Sequence, residues 1–180
     1  MRTLTRRQLL AAGGATLVLA AGSTVAMAAA SGVFTSRSCA TPHLAGTVVQ
    51  VTAMDMGHMP TGMMRGQFDT MRLVARPATV RAGAVSLLLH NVGTRTHELV
   101  VLPLAAGTPA GARAVGADGR VDEAGSLGEA SRSCRSGSGD GVKAGATGWV
   151  TLTLAPGRYE LVCNLKNHYP NGMYAELDVT

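Results

Sequence analysis

The sequence predicts an all-β protein folded as an antiparallel β-sandwich, and three observations lead to this prediction. Apolar and polar residues alternate with a period of two in several short runs after residue 47, as in strands that bury one face. Glycine and proline residues separate these runs and mark turns between strands. The composition, 46% apolar and 15% charged, is too apolar for a disordered chain.

The alternation is clearest at residues 84–90, 97–101, 149–154 and 173–179, and in a run that ends at Cys163. Each run is short, as strands are, and several such runs in succession favour a sandwich. The residues expected on the buried faces are Val85, Leu87, Leu89, His97, Leu99, Val101, Val150, Leu152, Leu154, Tyr159, Leu161, Cys163, Met173, Ala175, Leu177 and Val179.

One long stretch, residues 105–147, interrupts the strand pattern. It is rich in glycine, alanine and serine and contains no clear alternation. A structureless loop of this length is unusual inside a compact domain. We therefore expect a long Gly/Ala-rich insertion that lies over one side of the sandwich and holds a short helix over residues 121–130.

The N-terminus has the features of an export segment. Arg6 and Arg7 form a twin-arginine pattern ahead of a long uncharged run, and Ala26 and Ala28 flank Met27 as at a cleavage site. These features predict a signal segment over residues 1–28 and a protein on the periplasmic or extracellular side of the membrane. An uncleaved segment is long enough to anchor the protein in a bilayer.

The rest of the chain divides into a flexible lead-in over residues 29–46 and one domain over residues 47–180. Of the net charge of +5, three units come from the arginines of the first 28 residues, so the remainder is nearly neutral. The whole chain has only six aromatic residues. Neither feature supports binding to nucleic acid.

The segment between Cys163 and Met173 carries the chemistry. Cys163, His168 and Met173 follow one another at intervals of five residues, which on a helix would send their side chains to different faces. Pro170 and Gly172 also oppose a helix. We therefore expect a loop between two strands. A second histidine, His97, leads its own strand in phase with the buried face and can join the loop residues.

One thiolate, two imidazoles and one thioether are the donor set of a blue-copper site. The alternatives fit less well. Paired CxxC motifs for a structural zinc site are absent from the sequence, and a binuclear copper site would need a second cysteine in the loop. A serine hydrolase is not indicated, because no Gly-x-Ser-x-Gly motif joins a strand to a helix pattern. His43 and His90 are not expected to be ligands.

The residues 71–180 resemble cupredoxins of the sulfocyanin and rusticyanin type. The matching stretches are Asn91-Val92-Gly93 with His97-Glu98-Leu99-Val100-Val101, and Gly157 to Cys163 followed by the loop with its five-residue spacing. The resemblance implies a Greek-key fold and one type 1 copper. It implies His97, Cys163 and His168 as equatorial ligands and Met173 as the axial ligand. Glu98 departs from the pattern, because many cupredoxins have Asn or Ser after the first ligand histidine.

If Cys163 is a ligand, Cys39 and Cys134 are the remaining cysteines. In an oxidising compartment they could form a disulfide that closes a loop of about 95 residues. The alternative is two free thiols.

These observations predict a monomeric carrier of single electrons between redox partner proteins, with no substrate chemistry of its own. His168, beside Tyr169 and Pro170, is expected to pass the electron at the surface. A copper-delivery protein is the alternative, because residues 54–64 hold five methionines and one histidine and could bind Cu(I). Methionine packing over the sandwich explains that stretch equally simply. A subunit of a larger copper oxidoreductase is a third possibility.

Overall fold

A computed structural model describes residues 39–55 and 71–180 and shows two β-sheets packed face to face. Every described residue belongs to one compact unit, Thr35–Thr180. The predicted signal segment, the start of the lead-in and residues 56–64 lie outside the described residues. The predicted boundaries of the signal segment (1–28), the lead-in (29–46) and the domain (47–180) stay predictions. Among the described residues, no helix has the length and apolarity needed to cross a bilayer.

Nine strands form the sandwich in the described part of the chain. In chain order they are β1 (Thr47–Asp55), β2 (Met71–Arg76), β3 (Thr79–Val80), β4 (Gly83–Asn91), β5 (Leu99–Leu104), β6 (Gly128–Ala130), β7 (Thr147–Leu154), β8 (Gly157–Val162) and β9 (Tyr174–Val179). One sheet has the order β2-β1-β4-β7 and the other β3-β9-β8-β5-β6. The predicted β-sandwich is confirmed. Two pairs, β1 with β4 and β3 with β9, run parallel, and the other pairs are antiparallel.

The core between the sheets consists largely of the residues that the period-two pattern places on buried faces. In β4, which is hydrogen-bonded on both edges, Val85, Leu87 and Leu89 are fully buried. The same core holds Leu99, Val101, Val150, Leu154, Tyr159, Leu161, Cys163, Met173, Leu177 and Val179, with Leu152 and Ala175 partly buried against it. The hydrophobic pattern therefore determines which face of each strand turns inward.

Three neighbouring strands bring the predicted ligands to one end of the second sheet. Cys163 follows β8 directly, Met173 precedes β9 directly, and His97 lies two residues before β5. Since β5 and β9 both run antiparallel to β8, their first residues lie beside its last ones. The backbone N–H of Cys163 donates to the carbonyl of Met173 at 3.0 Å. Strand order thus assembles residues that are distant in sequence.

The predicted helix over residues 121–130 is wrong. The stretch forms turns and then β6, which pairs with β5. Gly125 and Gly128 have φ angles of 83° and 147°, which an α-helix does not contain. The backbone N–H of Leu127 donates to the carbonyl of Val101 at 2.9 Å. Pairing with an open sheet edge therefore supplies the hydrogen bonds that a helix would have made.

The insertion covers the outer face of the second sheet, as predicted. Val100 and Leu102 of β5 point away from the main core, yet both are buried. They form a second apolar cluster with Val121 of the insertion, Val162 of β8 and Tyr169 of the ligand loop. Because β5 is covered on both faces, it carries apolar residues on both sides.

A buried carboxylate, that of Glu160 in β8, fastens the insertion to the ligand loop. One of its oxygens accepts hydrogen bonds from the Gly111 backbone at 2.6 Å and the Tyr169 hydroxyl at 2.9 Å. The other accepts from the Arg113 guanidinium at 2.5 Å. Glu160 is fully buried, so these donors replace its water. The same carboxylate therefore holds the insertion and the residue next to His168.

A disulfide joins Cys39 to Cys134 across 95 residues of sequence. Of the two alternatives for these cysteines, the structure therefore shows the bridge. The backbone N–H of Cys134 donates to the carbonyl of Thr147 at 2.6 Å. The bridge thus ties residue 39 to the start of β7, and Cys163 is left as a free, buried thiol.

Removing the bridge should destabilise the fold. A protein carrying Cys39→Ser and Cys134→Ser is expected to lose about 2–4 kcal/mol of unfolding free energy, because its unfolded chain regains the freedom of a long loop. Urea unfolding measures the change, and a reductant should affect the wild type alone. Equal stability of the two proteins would contradict a constraining bridge.

Removing the buried charge should also destabilise the protein. Glu160→Gln is expected to cost about 1.5–3 kcal/mol of unfolding free energy, because an amide accepts more weakly than a carboxylate from the donors of Gly111, Tyr169 and Arg113. Glu176 is the matched control, since it faces Glu160 across β8 and β9 and pairs with the partly exposed Arg158. Glu176→Gln should cost at most about 1 kcal/mol. Similar losses in the two variants would count against a special role for Glu160.

Candidate metal centre

His97 is held by a loop that a buried amide braces. The side-chain amide of Asn91 donates to the carbonyls of Arg95 at 2.7 Å and Val142 at 2.8 Å. The Asn91 side-chain oxygen accepts from the Gly93 backbone at 2.9 Å. His97 itself exchanges two backbone hydrogen bonds with Val142, at 3.0 and 2.6 Å. The ring therefore projects from a fixed backbone.

The ligand loop folds back on itself between β8 and β9. The His168 backbone donates to the carbonyl of Leu165 at 2.9 Å, and the His168 carbonyl accepts from the Met173 backbone at 3.2 Å. A short 3-10 turn, Tyr169–Asn171, ends at Gly172 with a φ of 93°, a conformation that glycine adopts without steric cost. The predicted loop is thus confirmed, with Pro170 and Gly172 shaping its turn.

Three potential ligand atoms converge inside the protein. The Nδ1 atoms of His97 and His168 lie 3.3 Å apart, and the Sγ of Cys163 lies 3.2 Å from the Nδ1 of His168 and 3.9 Å from that of His97. These three side chains are all buried, and their ligand atoms lie within 4.8 Å of one another. Metal–nitrogen and metal–sulfur bonds are about 2.0–2.3 Å long. An ion bonded to all three atoms therefore fits a triangle of these dimensions.

The protonation of these groups suits a metal. Burial raises the pKa of the Cys163 thiol to about 12, and hydrogen bonds from the backbone N–H groups of Glu98 and Leu165 partly offset this by favouring the thiolate. Burial lowers the pKa of His97, and burial with the nearby His97 lowers that of His168 to about 4. Both imidazoles are therefore neutral near pH 7 and can offer a lone pair, whereas the thiol must release its proton when it binds.

Glu98 ties the two ligand segments together. The backbone N–H of Glu98 donates to the Cys163 sulfur at 3.3 Å, and its carboxylate accepts from the Asn164 backbone. The side chain is buried, and burial, with the nearby carboxylates of Glu123 and Glu129, raises its pKa to about 7. Glu98, where many cupredoxins have Asn or Ser, thus links the segment of His97 to the segment of Cys163 through its backbone and its side chain.

Met173 is fully buried in the core beside these ligands. Its backbone pairs with both Cys163 and His168. Of the four predicted ligands, His168 is the most exposed, at 8%, whereas His97, Cys163 and Met173 have no exposed surface. The expectation that Tyr169 lines the surface beside His168 is wrong. Tyr169 is buried, because its hydroxyl turns inward to Glu160.

Asp55, at the end of β1, contacts the His97 ring, and the sequence did not indicate this contact. Its Oδ2 lies 2.8 Å from the Nε2 of His97. Burial raises the pKa of Asp55, but hydrogen bonds from Thr94, Arg95 and His97 outweigh that effect and hold the pKa well below its ordinary value. In the sequence Asp55 is an isolated carboxylate among methionines. Only the placement of β1 beside β4 brings it to the loop before His97.

Two other histidines, His43 and His90, lie apart from the cluster. His90 is half-buried on β4, where its Nε2 lies 2.5 Å from the Gln50 side chain. His43 is exposed in the segment before β1. Asn164 is a further residue that the sequence did not indicate. Its side chain exchanges hydrogen bonds of 2.7 and 2.9 Å with the Val121 backbone and so joins the ligand loop to the insertion.

Several solved structures are similar to this chain. Rusticyanin from Thiobacillus ferrooxidans is 18% identical, with 76% of this chain and 79% of that chain covered and a TM-score of 0.42. A structure of reduced rusticyanin is 21% identical, with 76% and 81% covered and a TM-score of 0.43. Reduced auracyanin from Roseiflexus castenholzii is 17% identical, with 77% and 99% covered and a TM-score of 0.44.

No curated protein sequence is significantly similar to the chain. The family comparison is more informative. The profile of the sulfocyanin (SoxE) domain matches residues 70–180, which is more than half of the chain and includes all four predicted ligands. The chain therefore belongs to the sulfocyanin family.

Proposed function

We propose that this protein is an exported electron carrier that holds one copper ion through His97, Cys163 and His168, with Met173 as the axial ligand. The observation that carries the proposal is the convergence of two imidazole nitrogens and one thiol sulfur within 4.8 Å of one another. Membership of the sulfocyanin family and this cluster together support a blue copper protein that transfers electrons. Carriers of this kind are not enzymes.

The copper ion would supply a centre that alternates between Cu(I) and Cu(II). Thiolate and thioether sulfur favour Cu(I), and imidazole suits both states. The chain's own contribution is to keep the donors in one arrangement. The backbone pairing of His97 with Val142, and of Cys163 with Met173, fixes where each side chain begins. Buried side chains that cannot move far need little rearrangement when the charge of the ion changes.

Electrons would enter and leave at His168. Its side chain is the most exposed of the four, and the structure gives its Nε2 no hydrogen-bond partner within residues 39–55 and 71–180. The ring therefore reaches from the ligand triangle to the surface. We propose that redox partner proteins dock there briefly, through an interface at the small, weak end of the size range, and that the carrier itself is a monomer.

Export is supported by the sequence and by the bridge. The twin-arginine pattern and the cleavage-like residues indicate a signal segment. The disulfide between Cys39 and Cys134 belongs to an oxidising compartment. We therefore propose that the domain works on the periplasmic or extracellular side of the membrane, with an uncleaved segment as a possible anchor.

The copper site predicts a colour. With one equivalent of Cu(II), residues 29–180 should show an intense visible band that a reductant bleaches and that Cys163→Ser abolishes, because the band needs a Cys163–copper bond. The matched control carries Cys39→Ser and Cys134→Ser and should stay blue, since it keeps Cys163. A colourless wild type that still binds Cu(I) would contradict electron transfer and favour copper delivery by the methionine-rich stretch.

The axial position predicts a change in redox potential. Met173→Gln should lower the potential, because an amide oxygen favours Cu(II) more than a thioether does. We expect about a tenfold change in the ratio of Cu(II) to Cu(I) affinity, which for one electron is about 59 mV. Met173→Leu is the control, because it removes the sulfur without adding an oxygen and should not lower the potential. An unchanged or higher potential for Met173→Gln would exclude Met173 as the axial ligand.

A further inference from the structure

The carboxylate of Asp55 is a charged group that is hydrogen-bonded to a candidate ligand, the ring of His97. Its side chain is 4% exposed. It accepts from the backbone N–H groups of Thr94 and Arg95 at 2.9 and 2.8 Å, from the Thr94 hydroxyl at 2.7 Å, and from the Nε2 of His97 at 2.8 Å. One carboxylate thus joins β1, the turn before His97, and the His97 ring.

We propose that Asp55 is a positioning residue for His97. It fixes the tautomer and the orientation of the ring, and its negative charge favours the higher oxidation state of the copper centre. The effect of Asp55 on the oxidation state of copper rests on the proposed function. Its effect on the tautomer of His97 does not, because it can be measured in the metal-free protein.

The tautomer follows from hydrogen-bond chemistry. An ionised carboxylate only accepts hydrogen bonds, so the Nε2 of His97 must carry the proton it shares with Asp55. A neutral imidazole has one N–H, which leaves Nδ1 with its lone pair. Nδ1 is the atom that faces His168 at 3.3 Å and Cys163 at 3.9 Å. Asp55 therefore presents the correct nitrogen to the ligand triangle.

The two imidazoles are consequently unequal. The far nitrogen of His97 is bound to a buried negative charge, whereas the far nitrogen of His168 reaches the surface. A carboxylate behind a ligand imidazole raises its basicity, and a more basic donor stabilises Cu(II) more than Cu(I). Asp55 therefore acts against the thiolate and the axial thioether, which favour Cu(I).

Asp55 also has a structural task, and a control must separate the two. Asp55→Asn keeps the shape of the side chain but removes its charge. Thr94→Val removes the hydroxyl that donates to Asp55 and leaves the contact between Asp55 and His97 intact. Both variants weaken the turn before His97, but only Asp55→Asn removes the negative charge that is hydrogen-bonded to the His97 ring.

The first test uses nitrogen-15 NMR of the metal-free protein. In the wild type, His97 should be the Nε2–H tautomer, with its proton protected from exchange. Thr94→Val should keep this signal, and Asp55→Asn should lose the protection and show a mixture of tautomers. An Nδ1–H tautomer in the wild type would overturn the proposal, whether or not Asp55→Asn folds.

The second test uses the copper-loaded proteins. Asp55→Asn should weaken Cu(II) binding about 10–100-fold and raise the potential, with a smaller effect on Cu(I). Thr94→Val should leave the ratio of the two affinities within about twofold of wild type. An unchanged ratio of Cu(II) to Cu(I) affinity in Asp55→Asn would overturn the proposed effect of Asp55 on the oxidation state of copper. A wild type that binds no copper would instead contradict the proposed function, and the tautomer result would still decide the positioning of His97.

Discussion

The antiparallel pairing of β8 with both β5 and β9 is the constraint on which the rest of the molecule depends. It places the last residue of one strand beside the first residues of two others, so a single end of the sheet receives Cys163, Met173 and His97. The alternating apolar residues make this arrangement stable, because they form a shared core. Cys163, Met173 and His97 lie there because strands β8, β9 and β5 must each bury one face. His168 lies in the loop between β8 and β9, where backbone hydrogen bonds to Leu165 and Met173 hold it.

Buried polar groups then hold the loops that the strands leave free. Asn91 braces the segment before His97, Glu98 joins the two ligand segments, and Glu160 links Tyr169 to the insertion. Each of these side chains bonds to a segment that the hydrophobic pattern does not restrain. A buried polar group is costly unless all its hydrogen bonds are made, so each one favours a single arrangement of its loop. The loops around the candidate metal site are therefore held in one conformation.

The sequence predicted the sandwich, the buried faces and the ligand loop, because all three depend on local patterns. Val85, Leu87 and Leu89 show a period of two, and Pro170 and Gly172 mark a turn. It did not predict the roles of Asp55 or Asn164, because those roles depend on which strands become neighbours. The predicted helix in the insertion failed for a related reason. An open edge of β5 offered Leu127 hydrogen bonds that local propensity does not reveal.

The centre draws on nearly the whole length of the domain. Asp55 ends its first strand, and Met173 stands immediately before its last one. During synthesis on the ribosome, the residues of this site are therefore not all present until almost the whole domain has been made. With the proposed ligand set, the complete copper centre would need β9 in place, because Met173 stands directly before that strand. Binding of copper by all four proposed ligands would then show that the domain has finished folding.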